Sequence, residues 1–112
     1  MYVRWKRRTR KQLSWHHNHA VPVLLTATLV ESRRINGKPR QHILAYLGGI
    51  RDRQIPYPKC RDGFWQGAEE RLAALGLVGA ERVRIEAALE DVVPRLPAEQ
   101  SAAIRAERRR DA

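Results

Sequence analysis

The residues of this sequence best suited to chemistry are cations in two groups. Arg4, Lys6, Arg7, Arg8, Arg10 and Lys11 lie near the N-terminus; Arg33, Arg34, Lys38 and Arg40 surround an Asn36-Gly37 pair. Ammonium and guanidinium groups neutralise phosphates and release counterions. A guanidinium fixed on a rigid backbone also makes bidentate contacts to guanine edges. Each group has a plainer reading: cations keep a hairpin end solvated and block edge pairing, and a basic terminus can serve only as a solubilising tail.

Catalytic chemistry finds no comparable set. His16, His17 and His19 form H-H-x-H, which matches no recognised metal spacing, has no acid within the segment and lies far from Cys60. Glu69, Glu70, Glu81, Glu86, Glu90 and Asp91 are scattered over helix surfaces, with no carboxylate pair placed for acid–base or metal work. Gly48-Gly49 lacks the spacing and the lysine of a phosphate loop. The expectation is a non-catalytic protein with no metal and no cofactor.

The element that positions the second group runs from Leu24 to Leu47. Asn-Gly suits a type I′ turn, which needs φ > 0 at both central residues. With Asn36 and Gly37 in the turn, Ile35 pairs with Lys38, Arg34 with Pro39, Arg33 with Arg40 and Glu31 with His42. The proline is tolerated because its missing N–H points away from the partner strand. Strict alternation then puts Leu25, Ala27, Leu29, Leu44 and Tyr46 on one face, and Thr26, Thr28, Val30, Ile43, Ala45 and Leu47 on the other. The base is apolar and the tip cationic. A two-stranded ribbon of this kind is narrow enough for a DNA major groove.

Tyr2–Arg8 alternates, Val3 and Trp5 against Arg4 and Lys6, and reads as a strand added to the hairpin. Ser14–Pro22 reads as a loop, with Trp15 packing on the sheet or stacking on a base. Ile50–Cys60 reads as an extended connector. Asp62 is expected to cap a helix over 64–75, with Phe64, Ala68, Leu72 and Leu75 on one face. A second helix is expected over 80–93, with Ile85, Ala88, Leu89 and Val92 in a stripe, and a third from Pro97 to Arg109. The arginines closing that last helix suit its C-terminal dipole without any ligand. The predicted fold is α+β: a three-stranded antiparallel sheet, made of the N-terminal strand and the long hairpin, followed by three helices. Residues 1–96 are expected to form one small domain with a basic N-terminal arm, and 97–112 a C-terminal helix fraying at its end.

Composition supports a polyanionic partner. The 112 residues carry 22 Lys and Arg against 12 acids, a net charge of +10. The excess is segregated: residues 1–61 hold 14 cations against Glu31 and Asp52, whereas residues 62–112 hold 8 against 10 acids. No apolar run approaches the roughly 20 residues needed to cross a bilayer. The charged start at Met1–Lys11 does not lead into the apolar segment of a signal peptide. One cysteine fits a reducing compartment, so a cytoplasmic location is expected.

Leu29–Gly48, LVESRRINGKPRQHILAYLG, resembles the N-terminal hairpin of certain bacterial insertion-sequence transposases. The similar residues are Val30, Glu31, Ser32, Arg34, Gly37, Lys38, Arg40, Gln41, Leu44, Leu47 and Gly48. The resemblance implies contact with DNA for Arg34, Lys38 and Arg40. It covers about a sixth of the chain, and 112 residues do not accommodate that family's acidic-triad catalytic core. The function expected is therefore nucleic-acid binding, duplex DNA more than RNA, through the hairpin tip and the basic strand. The alternative is a protein-interaction or homodimerisation module using an apolar sheet face; a metal-binding domain built on the histidines is a distant third.

Overall fold

Residues 1–9 and 23–111 are described by the computed structural model. Strands β1 (Tyr2–Thr9), β2 (Val23–Ile35) and β3 (Lys38–Arg51) form an antiparallel sheet in the order β1-β2-β3. Helices α1 (Pro58–Ala74), α2 (Gly79–Glu90) and α3 (Ala98–Asp111) follow, completing the α+β arrangement. The segment containing Arg10, Lys11, Trp15 and the three neighbouring histidines lies outside the described residues.

The turn between β2 and β3 follows from its two residues. Asn36 has φ 55° and Gly37 φ 77°, left-handed values that Asn tolerates and Gly adopts without penalty. The tip register runs Ile35↔Lys38, Arg34↔Pro39, Arg33↔Arg40, Ser32↔Gln41 and Glu31↔His42, as alternation predicts. Nearer the base the alternation breaks twice on β3. Leu29 pairs with Ala45 beside Val30↔Ile43, and Ala27 pairs with Gly48 beside Thr28↔Tyr46, leaving Leu44 and Leu47 as extra residues in two β-bulges. Each bulge shifts the following residues by one, which reverses the face they occupy. Leu47 is consequently fully buried in the core, while Tyr46 sits beside Thr28 on the opposite face and is exposed. This reverses the placement that strict alternation gives both residues.

One face of the sheet is covered by helices. Ala27, Leu29, Leu47 and Ile50 pack with Phe64, Trp65, Ala68 and Leu72 of α1 and Ile85 and Leu89 of α2, and Val3, Trp5 and Leu25 border this cluster. Trp5 stacks on Phe64 with centroids 5.9 Å apart, and Phe64 meets Trp65 edge-on at 6.0 Å. The buried Trp65 donates its Nε1 hydrogen to the Val93 carbonyl at 3.0 Å, so its one polar atom is satisfied. Gly48 brings backbone against this cluster: a Cβ there would lie 3.0 Å from Phe64 Cε2.

Three local expectations are corrected. Ile50–Cys60 is no extended connector: Ile50 and Arg51 finish β3, a 3-10 turn spans Asp52–Gln54, and α1 starts at Pro58. Proline suits that first helical position because its absent N–H has no partner there in any case. Asp62 is therefore not a cap. It lies inside α1 at 1% exposure, and α3 provides its partners. Arg105 Nη2 approaches Asp62 Oδ1 at 3.2 Å, Arg108 Nη1 approaches Oδ2 at 3.1 Å, and the Ser101 hydroxyl donates to Oδ1. Two of the arginines assigned to the α3 dipole thus neutralise a buried carboxylate, and with the buried Ile104 they dock α3 on α1.

Candidate nucleic-acid interface

β1 pairs with β2 only as far as Tyr2↔Val30. Beyond that row, Glu31–Ile35 and Lys38–His42 continue as a two-stranded ribbon, five residues on each strand. At about 3.3 Å per residue, the ribbon extends roughly 17 Å past the three-stranded sheet. Every residue from Ser32 to Ile43 is exposed. Among the described residues, none from β1 or the helices pairs with the ribbon backbone. The chain has spent a long, unburied stretch on a rigid projection whose side chains are mainly polar or cationic.

Pairing fixes which way each cation faces. Arg33, Lys38 and Arg40 lie on the face that continues from Ala27 and Leu29, the helix side. Arg34 lies on the opposite face, called the open face because none of the described helices covers it, together with Arg4, Lys6 and Arg8 of β1. Arg7 sits opposite Leu25 on the helix side. Of the ten cations expected to bind, eight are described; four belong to each face, and Arg10 and Lys11 lie outside the described residues. Arg4 to Arg8 lie on the paired strand that the alternation of Tyr2–Arg8 predicts, and not on an arm. Arg4 is held further, donating from Nη1 to Gln41 Oε1 at 3.0 Å.

Neutralisation is uneven across the fold. Asp62 holds Arg105 and Arg108, Glu69 and Glu86 hold Arg95, Glu86 also holds Arg82, and Glu107 holds Lys59. In the described part of the sheet the ion pair is Arg33 with Glu31, two residues apart on one strand face. Lys6, Arg7, Arg8, Arg34, Lys38 and Arg40 have no carboxylate partner among the described residues. Unpaired cations are thus concentrated on the sheet and ribbon, whereas in α3 Arg105 and Arg108 are ion-paired with Asp62 and only Arg109 and Arg110 lack a carboxylate partner among the described residues.

Family models, curated proteins and solved structures offer no match to this chain.

Sequence reasoning missed several residues of the open face. Tyr2 shares it with Arg4 and Lys6, and its hydroxyl accepts a hydrogen bond from Gln41 Nε2 at 2.7 Å. Alternation in β1 carried that signal, since it pairs Tyr2 with Arg4 as surely as Val3 with Trp5. Tyr46 carried none, because the bulges that turn it outward are not marked by residue type. Among the described residues there is no group of His, Cys, Asp and Glu able to hold a metal, and no helix long and apolar enough to cross a membrane.

Proposed function

We propose that this protein is a non-catalytic nucleic-acid-binding module that grips duplex DNA with its β-ribbon. The observation that carries this reading is the projecting ribbon itself, exposed from Ser32 to Ile43 and bearing Arg33, Arg34, Lys38 and Arg40. Two antiparallel strands fit the major groove, about 12 Å wide, and their cations then meet phosphates on both rims and base edges on its floor. Glu31 is paired with Arg33, so Arg34, Lys38 and Arg40 are the first candidates for direct contact. The resemblance of Leu29–Gly48 to transposase hairpins points the same way and favours DNA over RNA. The unneutralised cations of β1 extend the phosphate-binding surface beyond the ribbon.

A second reading, pairing of this chain with another copy or another protein through the open sheet face, draws on the exposure of Ile43 and Tyr46 there. Its mark would be a discrete, concentration-dependent oligomer in the absence of nucleic acid. For the primary reading, the test is retention of unrelated duplexes on the protein across a salt series. Binding is expected at about 50 mM salt and should fall steeply above it. Absence of binding at that salt, with the protein folded, rejects the nucleic-acid reading.

A further inference from the structure

Two phenol rings on the sheet face away from the helices are each held by separate contacts. The first is Tyr2. It stands on β1, opposite Val30 of β2, yet its hydroxyl meets Gln41 of β3. The outer strands lie about 10 Å apart, so the Tyr2 and Gln41 side chains must meet above β2. Val30, the backbone partner of Tyr2, is fully buried even though it faces away from the helices. Gln41 completes the layer, its amide nitrogen on Tyr2 and its amide oxygen on the Arg4 guanidinium. The second ring is Tyr46. A Cβ on Gly49 would lie 2.8 Å from the Tyr46 hydroxyl oxygen, so the ring runs along β3 over a position that only glycine leaves clear. Arg71 lies over this ring, its guanidinium carbon 5.2 Å from the centroid, while its Nη1 donates to the Leu47 carbonyl.

Both rings remain close to half exposed, Tyr2 at 42% and Tyr46 at 49%. Arg4, Lys6 and Arg8 line the same face along β1. Flat aromatic surfaces beside a row of cations suit unpaired bases, which stack on any π-face while their phosphates follow the charge. A purely protein-facing surface has no need of that basic row.

We infer that the open sheet face binds an unpaired nucleic-acid strand, with bases stacked on Tyr46 and Tyr2 and phosphates on Arg4, Lys6 and Arg8. This rests on the ribbon's grip on duplex DNA, and it names the preferred substrate: a duplex continued by a single-stranded tail. Arg34, on the ribbon but on this same face, links the two surfaces.

The test compares a blunt duplex with the same duplex carrying an unpaired thymine tail, by fluorescence anisotropy. The tail is expected to tighten binding. Tyr46→Ala should then weaken the tailed complex by roughly 5- to 150-fold, the effect of losing one stacked base, and leave the blunt duplex unchanged. Tyr46→Phe should retain the tail's advantage, and thermal melts of both variants confirm folding. A tail that adds nothing, or equal losses on tailed and blunt DNA, overturns the inference. So does a Tyr46→Ala variant that disperses a dimer and still binds the tail, since the face would then serve a second copy. Failure to hold the blunt duplex counts separately, against the ribbon.

Discussion

Removing the carboxylate of Asp62 should cost much less than removing its two arginines together, although both changes break the two ion pairs of Asp62. The asymmetry comes from exposure. Asp62 is 1% exposed, whereas the side chains of Arg105 and Arg108 are 32% and 41% exposed. In Asp62→Ala the two guanidiniums keep their other partners, Glu69 for Arg105 and Gln66 and the Lys59 carbonyl for Arg108, and otherwise turn to water. The loss is limited to screened, charge-assisted hydrogen bonds and the one from Ser101, about 2 kcal/mol after discounting for solvent. In the Arg105→Ala, Arg108→Ala double variant the carboxylate stays buried with only the Ser101 hydroxyl, and an uncompensated buried charge costs about 3–5 kcal/mol. Replacing all three residues removes that stranded charge, so the triple variant should be more stable than the double. Urea unfolding of the four proteins measures this directly, provided the slopes with denaturant agree. A capping Asp62, as local sequence suggests, would lose about 1 kcal/mol on mutation to Ala and show no coupling to Arg105 or Arg108. Additive losses, with the triple variant least stable, would refute the clamp.

Three further outcomes are expected. Gly48→Ala should destabilise the fold by about 1–3 kcal/mol in the same assay, because the added Cβ meets the buried Phe64 ring at 3.0 Å in a core with little room to yield. Arg34→Ala with Arg40→Ala should flatten any preference among duplex sequences, whereas Lys6→Ala with Arg8→Ala should weaken all sequences alike; equal, sequence-blind losses would reduce the ribbon to a patch of charge. A chelator should leave the melting transition unmoved, since a structural metal contributes folding energy directly; a large loss restored by zinc would assign the histidine segment a site.

Where residue type alone dictates geometry, the sequence was readable. Asn36-Gly37 set the turn, the turn set the register of the tip, and alternation placed Val3 and Trp5 against the helices. Hydrophobic spacing likewise located Phe64, Ala68 and Leu72 on one helix face and Ile85 and Leu89 on another. What escaped depended on contacts between distant residues. The bulges at Leu44 and Leu47 are marked by no residue type, so Tyr46 and Leu47 exchange faces with no local warning. Asp62 resembles a helix cap until Arg105 and Arg108, more than forty positions away, show why it is buried. In the interface, the ribbon cations were legible because pairing follows from the turn. The Tyr2–Gln41–Arg4 layer was not, because it joins strands that are not neighbours.

The salt dependence of duplex binding tests the central claim most directly when the protein is compared with a variant carrying Ala at Arg33, Arg34, Lys38 and Arg40. Each phosphate that the variant leaves unneutralised should lower the slope of log affinity against log salt by about one. If the ribbon sits in the groove, the variant's slope should be smaller by about 2 to 4, and its affinity should drop at every salt concentration. A folded variant with the same slope and affinity as the unaltered protein would contradict the account, placing any DNA contact away from the ribbon.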